Sequence, residues 1–488
     1  MSLIQIAWRN FCHRSLSSIL TTLSLALGVG LVVIVLSVYG VISEAFTRNA
    51  SVGYNLVVGP PKGSALQLTL NSVYYLSQPA ENLPYTEYME FFDKEQRAAM
   101  VQRYGGDPEL AKRGGRYAPF VAGGYVIPLA LGDYFGEFRV VGTIPDFFEK
   151  LRHGPNVDEP FAFAQGRAFQ EHSDEHGYFE AVVGSRVANE MNVGVGDKIF
   201  PTHGDPSGHG HDLGFTIVGV MRPTGTPNDR AAFVNLEGFY LMDGHAKPIE
   251  DEEESDQADS NSDANDPANT EAELETADSD HPASSTQAGH NEPKSTGPDR
   301  FRLLSIPERE VTSILVRNGN IMFAPGMQNL INERFRSQAA APIGEINKLM
   351  NAIVGPLMKA LLAITLITCV VAAVGILVSI YNSMNDRRRD IAVMRALGAR
   401  RETVTAIIIC ESMLIAVIGA IFGWVLAHLA ILFYSSQIEA QTGVQVGFLT
   451  TSNHELYIMP LVFTLALIAA LLPAWSAYRT DVGSNLAA

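Results

Sequence analysis

Ser17–Ile42 reads SSILTTLSLALGVGLVVIVLSVYGVI, with no charged residue. At about 1.5 Å per helical residue, such a run more than spans a hydrocarbon core of roughly 30 Å. A cleaved signal peptide is the competing reading. Its apolar region would be much shorter, and no convincing small-x-small cleavage site follows the run. An uncleaved membrane helix is therefore expected. Three further apolar runs have spanning length: Leu357–Tyr381, Val404–Tyr434 and Tyr457–Trp475, the last with Pro460 and Pro473 near its ends. The expected fold class is an α-helical integral membrane protein with four transmembrane helices, arranged one plus three. A large α+β domain is expected between the first and second.

Orientation follows from the Lys and Arg bias. Arg9 and Arg14 precede the first run. Arg387, Arg388, Arg389, Arg395, Arg400 and Arg401 lie between the second and third, while residues 435–456 contain neither Lys nor Arg. Arg479 follows the last run. Both termini and the Arg-rich segment are thus expected in the cytoplasm of a multi-pass inner-membrane protein. Residues 1–16 read as a cytoplasmic helix, 43–356 as the extracytoplasmic domain with its stalk, 382–403 as a cytoplasmic segment, 435–456 as a short outer loop and 476–488 as a cytoplasmic tail.

The formal charge of −17 over 488 residues argues against a nucleic-acid partner, which requires clustered cations. Most of that charge is local. Residues 250–300 hold a dense run of Asp and Glu against only Lys294 and Arg300, and Leu274 is their only large apolar residue. Burial there cannot offset ordering entropy, so a disordered insert is expected. Calcium is the alternative, but no EF-hand spacing with its turn glycine occurs. Cys12, Cys369 and Cys410 all lie outside residues 43–356, so the outer domain must hold together without disulfides.

Within that domain, Phe138–Thr143, Ala181–Gly184, Phe215–Val220 and Ala232–Val234 read as strands. Ser185–Met191 reads as a short helix ended by Asn192. The acidic insert should interrupt the domain between Gly238–Met242 and Val311–Val316. Ile343, Ile346, Leu349, Met350 and Ile353 recur at helical spacing before the second span, which predicts a helical stalk. Glu44–Asn49 should form its counterpart after the first span.

Few motifs carry chemistry. Lys62-Gly63-Ser64 superficially resembles a phosphate loop, but the order is wrong and Gly-Lys occurs nowhere in the chain. No nucleotide, cofactor or catalytic residue is therefore assigned to this chain. His203, His209 and His211, interleaved with Asp205 and Asp212, form the densest ligand-like cluster. Imidazole suits zinc or copper, yet no Cys contributes and the spacing matches no standard structural site. The default is a polar surface loop without metal, with these three histidines as the candidates should one bind. Glu411 lies inside the third span, where a carboxylate is costly; it reads either as a structural hydrogen-bonding group or as a proton or substrate site. Gly419 and Gly423 form a small-xxx-small pair suited to close helix packing. In the Arg-rich segment, Ile391, Met394 and Leu397 share one side of a short helix that Gly398 is placed to stop. Either this is the positive-inside bias alone, or it is an apolar-plus-Arg docking face.

Several segments together resemble the MacB/FtsX/LolC-LolE family of ABC-transporter permeases. Ala7-Trp8-Arg9-Asn10 and Leu20–Gly28 are similar to its amphipathic N-terminal helix and first span. Arg388-Arg389-Asp390-Ile391-Ala392-Val393-Met394-Arg395-Ala396-Leu397-Gly398-Ala399 resembles its coupling helix, with Asp390 where Glu is usual. Glu411-Ser412-Met413-Leu414 with Gly419 and Gly423 is similar to its third span, and Pro473–Arg479 to its ending. Val182–Ser185 and Phe215–Val220 resemble its periplasmic core. The resemblance implies a permease pair, a homodimer or related heterodimer, with a separate ATPase subunit that binds ATP and Mg²⁺. Arg388, Asp390, Ile391, Met394, Arg395 and Leu397 would form the ATPase contact. It also implies mechanotransmission to the outer domain, with export or extraction of an envelope substrate such as a drug, peptide or lipoprotein, and possible periplasmic adaptor or lipoprotein partners. The alternative from another class is a membrane-anchored sensor or scaffold without transport, open to metal.

Overall fold

The computed structural model describes residues 3–13, 15–49, 53–153, 158–204, 210–242, 302–386 and 400–442, with Pro460, Thr464, Leu467, Ile468, Leu471 and Trp475. Helix α1 is Leu3–His13 and α2 is Ser15–Asn49. The α+β domain then contains β1 (Leu56–Gly59), α3 (Ala65–Tyr74), β2 (Tyr125–Phe135), β3 (Phe138–Thr143), β4 (Phe163–Gly166) and β5 (Glu180–Val183). It continues through α4 (Ser185–Met191), β6 (Thr202–His203), β7 (Phe215–Met221), β8 (Ala231–Asn235), β9 (Ser313–Arg317) and β10 (Gln338–Ala340). Helices α5 (Pro342–Leu349), α6 (Gly355–Asp386) and α7 (Arg401–Thr442) follow.

Local chemistry sets several of these boundaries. The Ser64 hydroxyl accepts from Gln67 N at 3.0 Å and starts α3, so the segment resembling a phosphate loop is a helix cap. Asn192, at φ 52°, ends α4 in the left-handed region that Asn tolerates better than most residues.

The main sheet runs β10–β1–β9–β2–β3–β8–β5–β7–β4, and β6 pairs with β2 outside this path. Parallel pairs join β3 to β8 and β5 to β7; the other neighbours along the path are antiparallel. Strands β1, β3, β5 and β8 are buried along their whole length, as expected for a sheet covered on both faces. Successive residues alternate between the two faces. Val57, Val141, Val182 and Phe233 join one core with Phe147, Phe148 and Phe169. Leu56 and Val58 pack on the opposite face with Ile314 and Val316, while Val140, Ala181, Val183 and Val234 form a further cluster.

Residues 250–300 lie outside the described residues, but their flanks are tied together. Arg309, fully buried, pairs with Glu237 and lies 3.8 Å from the ring centre of Tyr104. Tyr240 Oη donates to Glu310 O at 2.6 Å. Glu237 and Tyr240 precede the insert; Arg309 and Glu310 follow it.

Among the described residues, three helical stretches are long and apolar enough to cross a membrane: Ser18–Gly40, Pro342–Gly375 and Glu402–Gln437. The sequence reading expects four spans. Of the fourth, Tyr457–Trp475, only the six isolated residues named above are described, and all are helical. Helix α7 runs beyond Tyr434 to Thr442, so the first part of the expected 435–456 loop is helical.

Candidate functional site

The junction between membrane helices and sheet is the most distinctive mechanical feature. Helix α2 leads into β1, and β10 leads into α5 and α6. Strands β1 and β10 are immediate neighbours, with Val57 opposite Ala340 and Gly59 opposite Gln338. Both flanking spans therefore enter the domain through one antiparallel pair at the sheet edge. On α5 and the turn after it, Ile346 and Met350 are buried in the same core as Val57, Tyr74 and Phe233. Ile343 and Ile353, of the same apolar series, are exposed, so only one side of the stalk is embedded. From α2, Phe46 packs on that core; its carbonyl accepts from Tyr74 Oη at 2.5 Å, and the two rings lie 4.9 Å apart. Between α5 and α6, Met350–Val354 forms a π-helical turn in which Gly355 N–H donates to Met350 O. Pro356 follows immediately and has no N–H to donate, and the wider turn accommodates it within a continuous helical rod.

Inside the bundle, α7 packs on α2 through small residues. A Cβ on Gly423 would meet Ala26 O at 2.4 Å, and one on Gly419 would meet Leu25 Cδ2 at 2.9 Å. On the facing helix, a Cβ on Gly30 would meet Gly423 O at 3.1 Å. Glu411 is 7% exposed, next to fully buried Ser412, whose hydroxyl donates to Ile408 O at 3.1 Å. One residue that sequence reasoning passed over lies deeper in α7: His428 is buried, 4.2 Å from the Trp424 ring, with Nδ1 3.1 Å from Trp424 O. Helix α1 packs against α7, and its half-buried Phe11 joins the cluster of α2 and α7 side chains. By contrast, α6 leaves much of its apolar surface exposed, with Ile364, Ile367, Val371 and Val374 facing outward. Arg388, Asp390, Ile391, Met394, Arg395 and Leu397 lie outside the described residues.

Among the candidate metal ligands, the structure brings His203 and His211 together around Asp133; His209 lies outside the described residues. Strand β6 pairs with β2 so that His203 lies directly opposite Asp133. On its other side, Thr202 bridges Gly210, and His211 N donates to Pro201 O at 2.9 Å. The contact distances are 3.3 Å from His203 Nδ1 to Asp133 Oδ1 and 3.2 Å from His211 Nε2 to Asp133 Oδ2. The Asp133 side chain is fully buried, that of His211 8% exposed and that of His203 60% exposed. Asp133 lies where the β2–β3 register shifts between Leu131 and Tyr134. Sequence reasoning missed Asp133. Its only signal was an acid inside the otherwise apolar stretch Leu129–Phe135.

Comparison with known proteins bears on both parts of the chain. The model described as FtsX-like permease C-terminal matches residues 362–482. The model described as MacB-like periplasmic core domain matches residues 18–277. An uncharacterized ABC transporter permease of Methanocaldococcus jannaschii is 28% identical over 142 residues, which cover 28% of this chain and 34% of the relative. The match thus spans about a third of that relative's length. The core-domain match covers more than half of the sequence and ends inside the acidic insert; the permease match covers α6, α7 and beyond. With membrane-length helices on both sides of a mixed α+β sheet, the chain belongs to the FtsX-like ABC transporter permeases that carry a MacB-like periplasmic core domain.

Proposed function

We propose that this chain is the membrane subunit of a transporter in which a separate ATPase drives the α+β domain mechanically through α2 and the α5–α6 rod. The observation that carries this reading is the shared point of entry. Two spans join neighbouring strands β1 and β10, and their ends are packed into one core that reaches across the sheet to Phe233. A densely packed core transmits displacement instead of absorbing it. A change in the angle or spacing of the two helices therefore acts on the whole sheet. The outward-facing apolar surface of α6 is available to lipid and to a second permease copy.

In this reading the positive segment 382–403 faces the cytoplasm and receives the ATPase, with Ile391, Met394 and Leu397 as the apolar contact and Arg388 and Arg395 flanking it. ATP and Mg²⁺ reside on the partner. The substrate is an envelope molecule handled by the moving domain, such as a drug, peptide or lipoprotein. The test is copurification of the full-length permease with its ABC ATPase partner. Wild type should retain the ATPase, and the double variant Ile391→Asp, Met394→Asp should lose it while still inserting in the membrane. Unchanged association of the double variant would overturn the assignment of the docking segment.

A further inference from the structure

We propose that Asp133, His203 and His211 form a binding site for one divalent transition-metal ion of the zinc type in the α+β domain. The inference is independent of the permease reading; it rests on donor chemistry and geometry. Two imidazoles and one carboxylate are a donor set that zinc accepts, and three protein ligands leave a fourth position open for water or another ligand. Each residue has a ligand atom within 4.8 Å of those of the other two. In a tetrahedral site with bonds of about 2.0–2.1 Å, neighbouring donors lie about 3.4 Å apart. The two observed imidazole–carboxylate distances, 3.3 and 3.2 Å, are close to that edge, each to a different oxygen of Asp133.

Backbone placement supports the same conclusion. Asp133 is held on a central strand at a register shift, a feature that commonly re-aims a side chain. His203 is opposite it by strand pairing, and His211 is fixed by its own backbone hydrogen bond to Pro201. Asp133 and His211 are already buried, so little ordering cost remains for them. His203 is the exposed member, and its ring borders a route for the ion from solvent. Nearby, Arg139 is stacked 4.2 Å from the Tyr134 ring centre and donates to Ser77 O at 2.9 Å. Its charge acts on the Asp133 carboxylate as well as on the Tyr134 ring. A bound ion would tie His203 and His211 to Asp133 on β2.

The experiment uses full-length protein in detergent, with any affinity tag removed and metal stripped by a chelator. Zn²⁺ is titrated in competition with a chromophoric chelator, and Co²⁺ is substituted to read ligand-field absorption. Wild type should bind one tight equivalent per chain, and its Co²⁺ form should show the intense visible bands of a four-coordinate ion. His203→Ala and His211→Ala should each weaken binding by at least roughly tenfold, and their combination should remove the tight equivalent. Because His203 is exposed, His203→Ala should unfold at the wild-type temperature in the absence of metal, which separates lost ligation from misfolding. Absence of a tight equivalent in wild type, or wild-type affinity in the double variant, would overturn the proposal.

Discussion

A carboxylate buried on a strand survives only if donors replace the water it has lost, and Glu180 shows how this domain arranges that. Its side chain is fully buried, yet Arg167 reaches both oxygens, at 2.7 and 2.9 Å, and Gln170 N donates at 3.0 Å. Burial alone would raise its pKa. The Arg167 fork, the Gln170 N–H and the Ser173 hydroxyl outweigh that effect and hold it below the ordinary value. A lowered carboxyl stabilises the fold above the unfolded-state pKa of about 4.3, and that contribution is lost as pH falls through the folded value. Arg167→Ala leaves the buried carboxylate without its counter-ion and should cost about 3 kcal/mol at pH 7. In thermal unfolding this appears as a drop of roughly 6–12 °C. The gap to wild type should narrow as pH falls past the unfolded-state value toward the lower folded value of Glu180, where the carboxyl becomes protonated in both proteins. A gap that stays constant across this range would show that Arg167 acts through packing alone.

At the scale of elements, the contact between α2 and α7 depends on the absence of side chains. Gly423→Leu places carbon where Ala26 O already stands, and overpacking of this kind costs about 1–3 kcal/mol. Gly375→Leu, on outward-facing α6 with nothing within 4 Å of its added Cβ, is the matched control. The first substitution should lower the midpoint of thermal aggregation in detergent and the second should not. Equal effects would mean that α2 and α7 do not pack this way in the membrane.

Element boundaries set by local chemistry were legible in the sequence. Phe138–Thr143 and Ser185–Met191 have the expected limits because strand-forming side chains in the first and a left-handed Asn after the second act within a few residues. The order of strands was not legible. Strand β1 lies between β9 and β10, which follow it by more than 250 residues, and nothing local specifies that pairing. The metal candidate divides the same way. His203 and His211 stand out by proximity in sequence, whereas Asp133 joins them only through the β2–β6 register. The stalk was half legible: helical spacing marked Ile343, Ile346 and Met350 alike, but only tertiary packing determines that Ile346 is buried and Ile343 is not.

Across the whole molecule, charge and apolar surface are segregated by role. Acidic residues concentrate in an insert whose two flanks are clamped by Arg309, Glu237 and Tyr240. Apolar surface concentrates on helices that grip the sheet at one edge. The central claim is that the nucleotide state of the partner ATPase moves the α+β domain through those helices. It is tested most directly by double electron–electron resonance on the reconstituted complex. The native cysteines are replaced and a spin label is placed at exposed Ala98, on the helix Lys94–Tyr104, in each copy of the proposed permease pair. The account predicts that the inter-label distance distribution shifts between the nucleotide-free complex and one trapped with ATP on a hydrolysis-deficient ATPase. The same distribution in both states, with ATP demonstrably bound, would contradict it.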